Sequence, residues 1–166
     1  NFRGINVEEN KKLITLRGTV RIDQNLQIPK GYIVQAESGV RIELTDFASF
    51  ISYSPIEFLG SPNYPIVISA SKRGQGFAVL DAEKKSVFKN VVFENLSEPR
   101  IGSWRLTGAV TFYESLVEMR NVKFINSKAE DGLNIVRGKF LLEKCTFIKS
   151  QSDALDVDFG SGKIFH

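Results

Sequence analysis

The sequence predicts an all-β fold, a right-handed, single-stranded parallel β-helix of about seven coils, on three observations. A repeat of about two dozen residues recurs through the second half of the chain. Apolar and polar residues alternate with a period of two inside each repeat unit. No stretch has sustained helical periodicity, so helices are minor. A fixed period of this length with strand-like alternation is typical of a solenoid of stacked coils.

The repeat is clearest in three segments that align without gaps on a central phenylalanine. The segments are Phe88–Asn95, Met119–Asn126 and Leu142–Lys149, with Phe93, Phe124 and Phe147 at their centres. A second motif, Asp131–Ile135, recurs 22 residues later as Asp153–Val157. The aligned segments also place asparagines at matching turn positions, Asn90 with Asn121 and Asn95 with Asn126. Asparagine suits both turn geometry and side-chain hydrogen bonding between coils.

The chain divides into residues 1–12 and residues 13–166. The first segment is polar and is predicted to cap the solenoid, because an open end exposes core side chains and unpaired strand edges. Residues 13–166 form the β-helix. Up to residue 70 its short alternating runs are separated by turn signals, at Pro29–Gly31, Ser38–Gly39, Gly60–Pro62 and Pro65. Lys163–His166 begins a further unit, so we expect a segment of a longer solenoid with an open C-terminal edge.

Composition limits the classes of function. The net charge of +3 comes from 22 basic and 19 acidic residues spread along the chain without a basic run, which disfavours nucleic-acid binding. The single Cys145 excludes an internal disulfide and a cysteine-based metal cluster. It stands where Val91 and Val122 stand in other units, so we interpret it as a small buried hydrophobe. No apolar run approaches the roughly 20 residues of a transmembrane helix.

The strand before each central segment supplies an outward-facing column. These strands are Ala109–Tyr113, Gly132–Val136 and Ala154–Asp158, and Gly76–Asp81 is the equivalent one coil earlier. Alternation places Val110/Phe112, Leu133/Ile135 and Leu155/Val157 inside. Thr111, Asn134 and Asp156 then form one outward column, with Tyr113, Val136 and Asp158 beside it. Glu114 and Arg137 also align, which predicts a surface ion pair worth under about 1 kcal/mol.

An insertion interrupts the repeat before this column. From Phe93 to Ala109 the chain advances 16 residues, against 8 and 7 in the two following units. The extra residues contain the only tryptophan, Trp104, with Arg100 and Arg105 near it. Insertions at one turn of a solenoid often build its binding face. Trp104 either stacks on a sugar ring, with the arginines pairing a carboxylate or sulfate, or covers apolar surface on the coil wall.

The opening half carries a resemblance in Leu26–Gly31, Val34, Gly39–Leu44, Ala48, Phe58, Gly60 and Pro65–Ile68. These residues resemble the first coils of the pectate-lyase-like superfamily of right-handed parallel β-helix proteins, especially its repeat-bearing bacterial surface proteins. The resemblance covers roughly residues 20–166. It is specific for the fold and not for an activity, since the superfamily contains lyases, hydrolases, epimerases and adhesins. It implies an extracellular or cell-surface location.

The same resemblance singles out an acidic cluster as a candidate calcium site. Asp156 and Asp158 both point outward, Asp153 lies at the turn before them, and Asp131 should sit one coil below it. Pectate-lyase-like enzymes use acidic residues on such a strand to hold Ca²⁺ against an acidic polysaccharide, and Ca²⁺ prefers hard oxygen ligands. The alternative is that these aspartates form turns and are solvated.

Three functions stay open at this point. The first is a non-catalytic or substrate-binding module of a larger extracellular protein that engages polysaccharide through Trp104, Arg100, Arg105, Tyr113 and Asn134. The second is a Ca²⁺-dependent polyuronate lyase or epimerase, although only Thr111, Asn134 and Arg137 lie near Asp156 and none is an evident base. The third is a structural stalk or adhesin segment. The open C-terminal coil also predicts edge-to-edge self-association.

Overall fold

The computed structural model describes residues 2–71 and 74–166, with the backbone alone at Arg105. These residues form an all-β parallel solenoid of about seven turns, which confirms the predicted fold class. Each coil contributes up to three strands in turn. Strands of successive coils pair in parallel and build three columns, A, B and C, that surround the core.

Columns A and B belong to one continuous sheet. Column A contains β2 (Leu13–Leu16), β5 (Ile33–Ala36), β8 (Ile56–Leu59), the first part of β11 (Ser86–Glu94), the first part of β15 (Val117–Ile125), β17 (Lys139–Glu143) and β20 (Ser161–Phe165). Column B contains β3 (Thr19–Ile22), β6 (Arg41–Leu44), β9 (Ile66–Ala70), the second parts of β11 and β15, and β18 (Thr146–Ile148). Strands β11 and β15 therefore cross a corner of the solenoid without a break.

Column C is a separate six-stranded sheet. It contains β4 (Leu26–Ile28), β7 (Phe50–Ser52), β10 (Phe77–Leu80), β14 (Gly108–Tyr113), β16 (Asp131–Val136) and β19 (Asp153–Asp158). The predicted equivalence of Gly76–Asp81 with the later strands is confirmed, because Phe77 pairs with Val110 and Leu80 with Tyr113.

Phenylalanine columns fill the core, as the aligned repeat predicts. The rings of Phe93 and Phe124 are stacked with their centroids 5.3 Å apart, and those of Phe124 and Phe147 are 4.7 Å apart. Each fully buried ring contributes roughly 1.5–3 kcal/mol through apolar burial. Cys145 packs against this core and is half-buried. Burial raises the pKa of its thiol, in keeping with its interpretation as a small hydrophobe.

Residues in the left-handed region turn the chain at each corner. Between columns A and B these are Asn90, Asn121 and Lys144, and between columns B and C they are Asn95, Asn126 and Lys149. The side-chain amide of Asn121 donates to Asn90 and that of Asn126 donates to Asn95. Asparagine tolerates positive φ better than most residues, so the predicted asparagine positions follow from backbone geometry and from these bonds.

The two ends of the solenoid differ. Strand β1 (Ile5–Glu8) pairs antiparallel with β2 and covers its outer edge, and a single 3-10 turn, Glu9–Lys11, follows it. Phe2 and Ile5 pack against the first coil. At the other end, β19 and β20 lie last in their columns, and Ile164 and Phe165 are exposed. Edge-to-edge association through this end stays a prediction.

Replacement of Asn121 tests the corner geometry. Asn121→Ala should lower the free energy of unfolding by about 1–2 kcal/mol, because alanine is strained at positive φ and leaves the buried amide oxygen of Asn90 without its donor. Asn121→Gly loses the same hydrogen bond without the strain and should cost less. Urea denaturation measures both values. Equal stability of the two variants would contradict a conformational role for this asparagine.

Candidate functional site

The polarity of the outward-facing side chains on column C changes along the solenoid axis. The register of the predicted column is confirmed, since Thr111 pairs with Asn134 and Asn134 with Asp156, but Thr111 and Asn134 are both buried. The same column continues towards the N-terminus through Ala78 and Ile51. The column is polar at Gln27 in the first coil, apolar at Ile51 and Ala78, and polar again from Thr111 onwards. An apolar outward face requires a cover, and the insertion provides it.

The insertion forms a short hairpin. Strand β12 (Arg100–Ile101) pairs antiparallel with β13 (Trp104–Arg105), and Ile101 stands opposite Trp104. Gly102, in the two-residue loop, has a φ of 57°, which glycine adopts without strain. Ile101 and Leu106 pack against Ile51, Ala78 and Leu80 on the outer wall. Ile101 and Leu106 therefore cover the apolar wall together with Tyr53 and Tyr113, while Trp104 is 66% exposed.

Hydrogen bonds fix the hairpin to the coils beneath it. The backbone N–H of Arg100 donates to Ser49 Oγ at 3.1 Å, and Asn25 Nδ2 donates to the Arg100 carbonyl at 3.2 Å. Ser49 Oγ donates in turn to Gln75 Oε1 at 2.9 Å, within a buried pair. A hairpin attached through both its backbone and its apolar side chains is positioned before any ligand arrives.

The hairpin and the wall enclose a cavity of about 350 Å³, which we call the hairpin cleft. Its lining residues are Tyr53, Leu80, Asp81, Ile101, Trp104, Leu106, Tyr113 and Glu114. Trp104 is 66% exposed at the rim, while Tyr53 and Tyr113 are half-buried. Tyr53 directly follows β7, and Leu80 and Tyr113 end the next two strands of column C, so the two tyrosines lie about 10 Å apart along the axis.

Two carboxylates that line the hairpin cleft are each paired with a basic side chain. Lys30 Nζ lies 2.5 Å from Asp81 Oδ2, and this hydrogen bond raises the pKa of Lys30. Arg137 Nη1 lies 3.4 Å from Glu114 Oε1, which confirms the predicted ion pair, and it also donates to the Tyr113 hydroxyl at 3.4 Å. The hairpin cleft therefore offers charged hydrogen-bonding groups that are held in place without a large net charge.

The structure brings together only some of the predicted substrate-binding residues. Trp104 and Tyr113 line the same cleft. Arg100 is exposed and is held through its backbone, while the side chain of Arg105 lies outside the described residues. Asn134 is buried and outside the hairpin cleft: its Nδ2 donates to Asp156 Oδ2 at 3.0 Å and to Asp131 Oδ2 at 3.4 Å. Sequence reasoning missed Tyr53, Leu80, Ile101 and Leu106.

The predicted calcium ligands lie on the last two coils of column C. Asp131 pairs in register with Asp153, as expected, and the amide of Asn134 bridges Asp131 and Asp156. Burial raises the pKa of Asp156, and the nearby charges of Asp158 and Asp131 raise it further. Within residues 2–71 and 74–166, no group of three or more acidic, histidine or cysteine side chains is arranged to hold a metal ion. Calcium binding stays a prediction.

Comparison with known proteins gave no match to a family model, to a curated protein or to a solved structure. The likeness to the pectate-lyase-like superfamily therefore stays a resemblance in sequence, and only the β-solenoid is shown. Among the described residues, no helix has the length and apolar character needed to cross a membrane.

The raised pKa of Asp156 predicts a pH-dependent stability. A carboxyl group that holds its proton more tightly in the folded state stabilises the fold fully below its ordinary pKa of 3.8, and this contribution is lost as pH rises through the folded value. Asp156→Asn should therefore melt at a higher temperature than the parent protein at pH 7. The difference should vanish at pH 3.

Thermal melts between pH 3 and pH 7 check this prediction, with Asp23→Asn as the control. Asp23→Asn removes the same charge at an exposed position on the first coil, outside the acidic cluster. A lower melting temperature for Asp156→Asn at pH 7 would show that the aspartate charge is stabilised rather than strained.

Proposed function

We propose that the protein binds polysaccharide through the hairpin cleft, as a non-catalytic module of an extracellular surface protein. One observation supports this most strongly: three aromatic side chains, Trp104, Tyr53 and Tyr113, and two carboxylates line one cleft. Ligand sites are commonly concave and largely apolar, with a few convergent polar groups. The resemblance of the coils to polysaccharide-acting β-helix proteins points to the same ligand class.

The exposure of Trp104 is the first argument for a ligand. A tryptophan that is 66% exposed gains little from folding, whereas the neighbouring Ile101 and Leu106 already cover the wall. Exposed apolar surface rimmed by polar groups marks interaction sites. The flat indole offers a stacking surface for the apolar C–H face of a sugar ring, and its fixed hairpin lowers the entropic cost of binding.

The polar groups of the cleft are suited to hydrogen-bond the hydroxyl groups at the edge of the same sugar ring. Carboxylate oxygens of Asp81 and Glu114 accept hydrogen bonds, while the tyrosine hydroxyls both donate and accept. Lys30 and Arg137 hold the two carboxylates in position. A ring stacked on Trp104 can therefore direct its hydroxyls towards groups that are already oriented.

The position of the cleft also fits a binding module. It lies on the outside of the solenoid, formed by the insertion that carries Trp104, and loops on rigid scaffolds are where binding residues concentrate. The stacked coils beneath supply rigidity, and the insertion supplies the recognising side chains. A stalk without a ligand would need the hairpin to cover Ile51 and Ala78, but it would not need an exposed tryptophan on that hairpin.

Trp104→Ala tests the proposed function. Oligosaccharide arrays should first identify a ligand among neutral, uronate and sulfated glycans, and calorimetry should then measure its affinity. Because the variant removes the stacking surface, its affinity should fall at least tenfold, which corresponds to about 1.4 kcal/mol. Trp104→Phe keeps an aromatic face and should retain part of the affinity.

The matched control is Tyr64→Ala, since Tyr64 is a comparably exposed aromatic residue, at 67%, outside the hairpin cleft. This variant should bind like the parent protein. Failure of every glycan to bind, or unchanged affinity in Trp104→Ala, would contradict the proposed function. Binding of a protein partner in place of a glycan would assign the cleft to protein recognition instead.

A further inference from the structure

The N-terminal end of the solenoid carries an incomplete layer. Strand β1 continues column A beyond β2, one step outside the first coil. Column C, in contrast, begins at β4 (Leu26–Ile28), and among residues 2–71 and 74–166 no strand continues it further. The layer that β1 begins therefore has a place for a further strand beside β4.

A cavity of about 390 Å³ occupies this place, between β4 and the core-facing side chains of β1 and β2, and we call it the end cavity. Four consecutive residues, from Leu26 to Pro29, line it. Successive side chains of a strand point to opposite faces, so a cavity that touches all four residues lies against the edge of β4 and not against one face. The end cavity is thus the space next to an unpaired strand edge.

The edge of β4 presents backbone groups to the end cavity. On the opposite edge, the Leu26 N–H donates to the Ser49 carbonyl at 3.0 Å and the Ile28 carbonyl accepts from the Tyr53 N–H at 2.9 Å. Successive residues of a strand direct their N–H and C=O groups to opposite edges, so both groups of Gln27 face the end cavity. An extended peptide is the ligand whose own N–H and C=O groups match this edge.

Val7 shows that the end cavity continues the hydrophobic core. It pairs in register with Ile14, as Ile5 does with Leu16, and paired residues of a ladder have their side chains on the same face. Ile14 and Leu16 are buried in the core, yet Val7 is 47% exposed. A strand placed beside β4 would cover Val7 and complete the layer.

The end cavity is apolar apart from one paired charge. Of the described residues that line it, only Glu9 is charged. Its carboxylate pairs with Lys12 at 3.1 Å and accepts a hydrogen bond from the Tyr32 hydroxyl at 2.6 Å. An incoming segment therefore meets apolar surface without a free charge, which favours uncharged apolar side chains over an acidic or basic motif.

We infer that the end cavity binds an extended segment of another polypeptide, which adds a strand to column C beside β4. Alternate apolar side chains of this segment cover Val7 and Ile28, and its backbone pairs with Gln27. Because β4 has three residues and Pro29 beyond it has no N–H, the pairing spans about three residues, or roughly 10 Å. The inference is independent of the proposed function, since the end cavity and the hairpin cleft share none of their described lining residues.

Fluorescence anisotropy with a fluorescein-labelled peptide tests the inference. The probe is the sequence of residues 107–114 with blocked ends, because it contains β14 (Gly108–Tyr113), a strand that pairs along both its edges within column C. It should bind saturably. A peptide with Val110→Ser and Phe112→Ser should bind roughly tenfold more weakly, because it loses the apolar side chains that fill the end cavity.

Two N-methylated peptides test the backbone pairing. Methylation of the backbone nitrogens at residues 110 and 112 blocks one edge of the peptide, and methylation at residues 111 and 113 blocks the other edge. One of these two peptides should lose binding and the other should keep it. Equal affinities of the two would show that the peptide does not pair as a strand and would overturn the inference.

Protein variants locate the binding. Val7→Asp places a charge in the end cavity and should lower peptide affinity roughly tenfold. Leu59→Asp is the matched control, because Leu59 is also an exposed aliphatic residue, at 52%, and does not line the end cavity. Gln27→Pro removes the N–H that faces the end cavity and should weaken binding without a change in the apolar lining. Thermal melts verify that each variant is folded.

The outcomes separate this inference from glycan binding. Absence of saturable peptide binding, or unchanged affinity in Val7→Asp and Gln27→Pro, would overturn the added strand. Trp104→Ala should bind the peptide like the parent protein, and loss of binding in this variant would place the peptide in the hairpin cleft instead. Peptide binding at the end cavity without any glycan binding would leave this inference standing and contradict the proposed function.

Discussion

Parallel register between successive coils is the constraint on which the rest of the structure depends. Each coil must return to the same angular position so that Phe124 lies between Phe93 and Phe147 and the strand hydrogen bonds are satisfied. Left-handed residues at the corners make this return possible in so few residues. A shift of one residue would turn a coil's apolar set towards solvent, so the corners and the core determine one another.

The insertion at residues 97–108 adds a cleft to the outer wall of the solenoid. It covers the apolar Ile51 and Ala78, and it leaves Trp104 at the rim of the resulting cleft. Within this single hairpin, Ile101 and Leu106 anchor the insertion to the wall, while Trp104 stays available to a ligand. Three charged residues at or beside the cleft, Asp81, Glu114 and Arg137, occupy the corner between column C and the next coil. All three have the left-handed backbone conformation.

The fold can be predicted from the sequence because each coil has the same alternation, the same corner positions and the same core positions as the coil before it. The phenylalanine stack, the asparagine corners and the pairing of Thr111 with Asn134 all follow from counting residues between like positions. The candidate site is harder to predict by counting residues. Tyr53 joins Tyr113 across coils of unequal length, and the anchoring of Arg100 by Ser49 depends on where an irregular insertion docks. The alternation of apolar and polar residues also could not predict that Asn134 is buried between two carboxylates.

The most direct measurement of the central claim uses the fact that Trp104 is the only tryptophan in the chain. Its intrinsic fluorescence should be followed during titration with an oligosaccharide whose binding is established independently by calorimetry. Because the indole is exposed in the free protein and covered by sugar in the complex, the emission maximum should move to shorter wavelength, with a midpoint at the calorimetric Kd. Calorimetric binding that leaves the tryptophan emission unchanged would contradict recognition at the hairpin cleft.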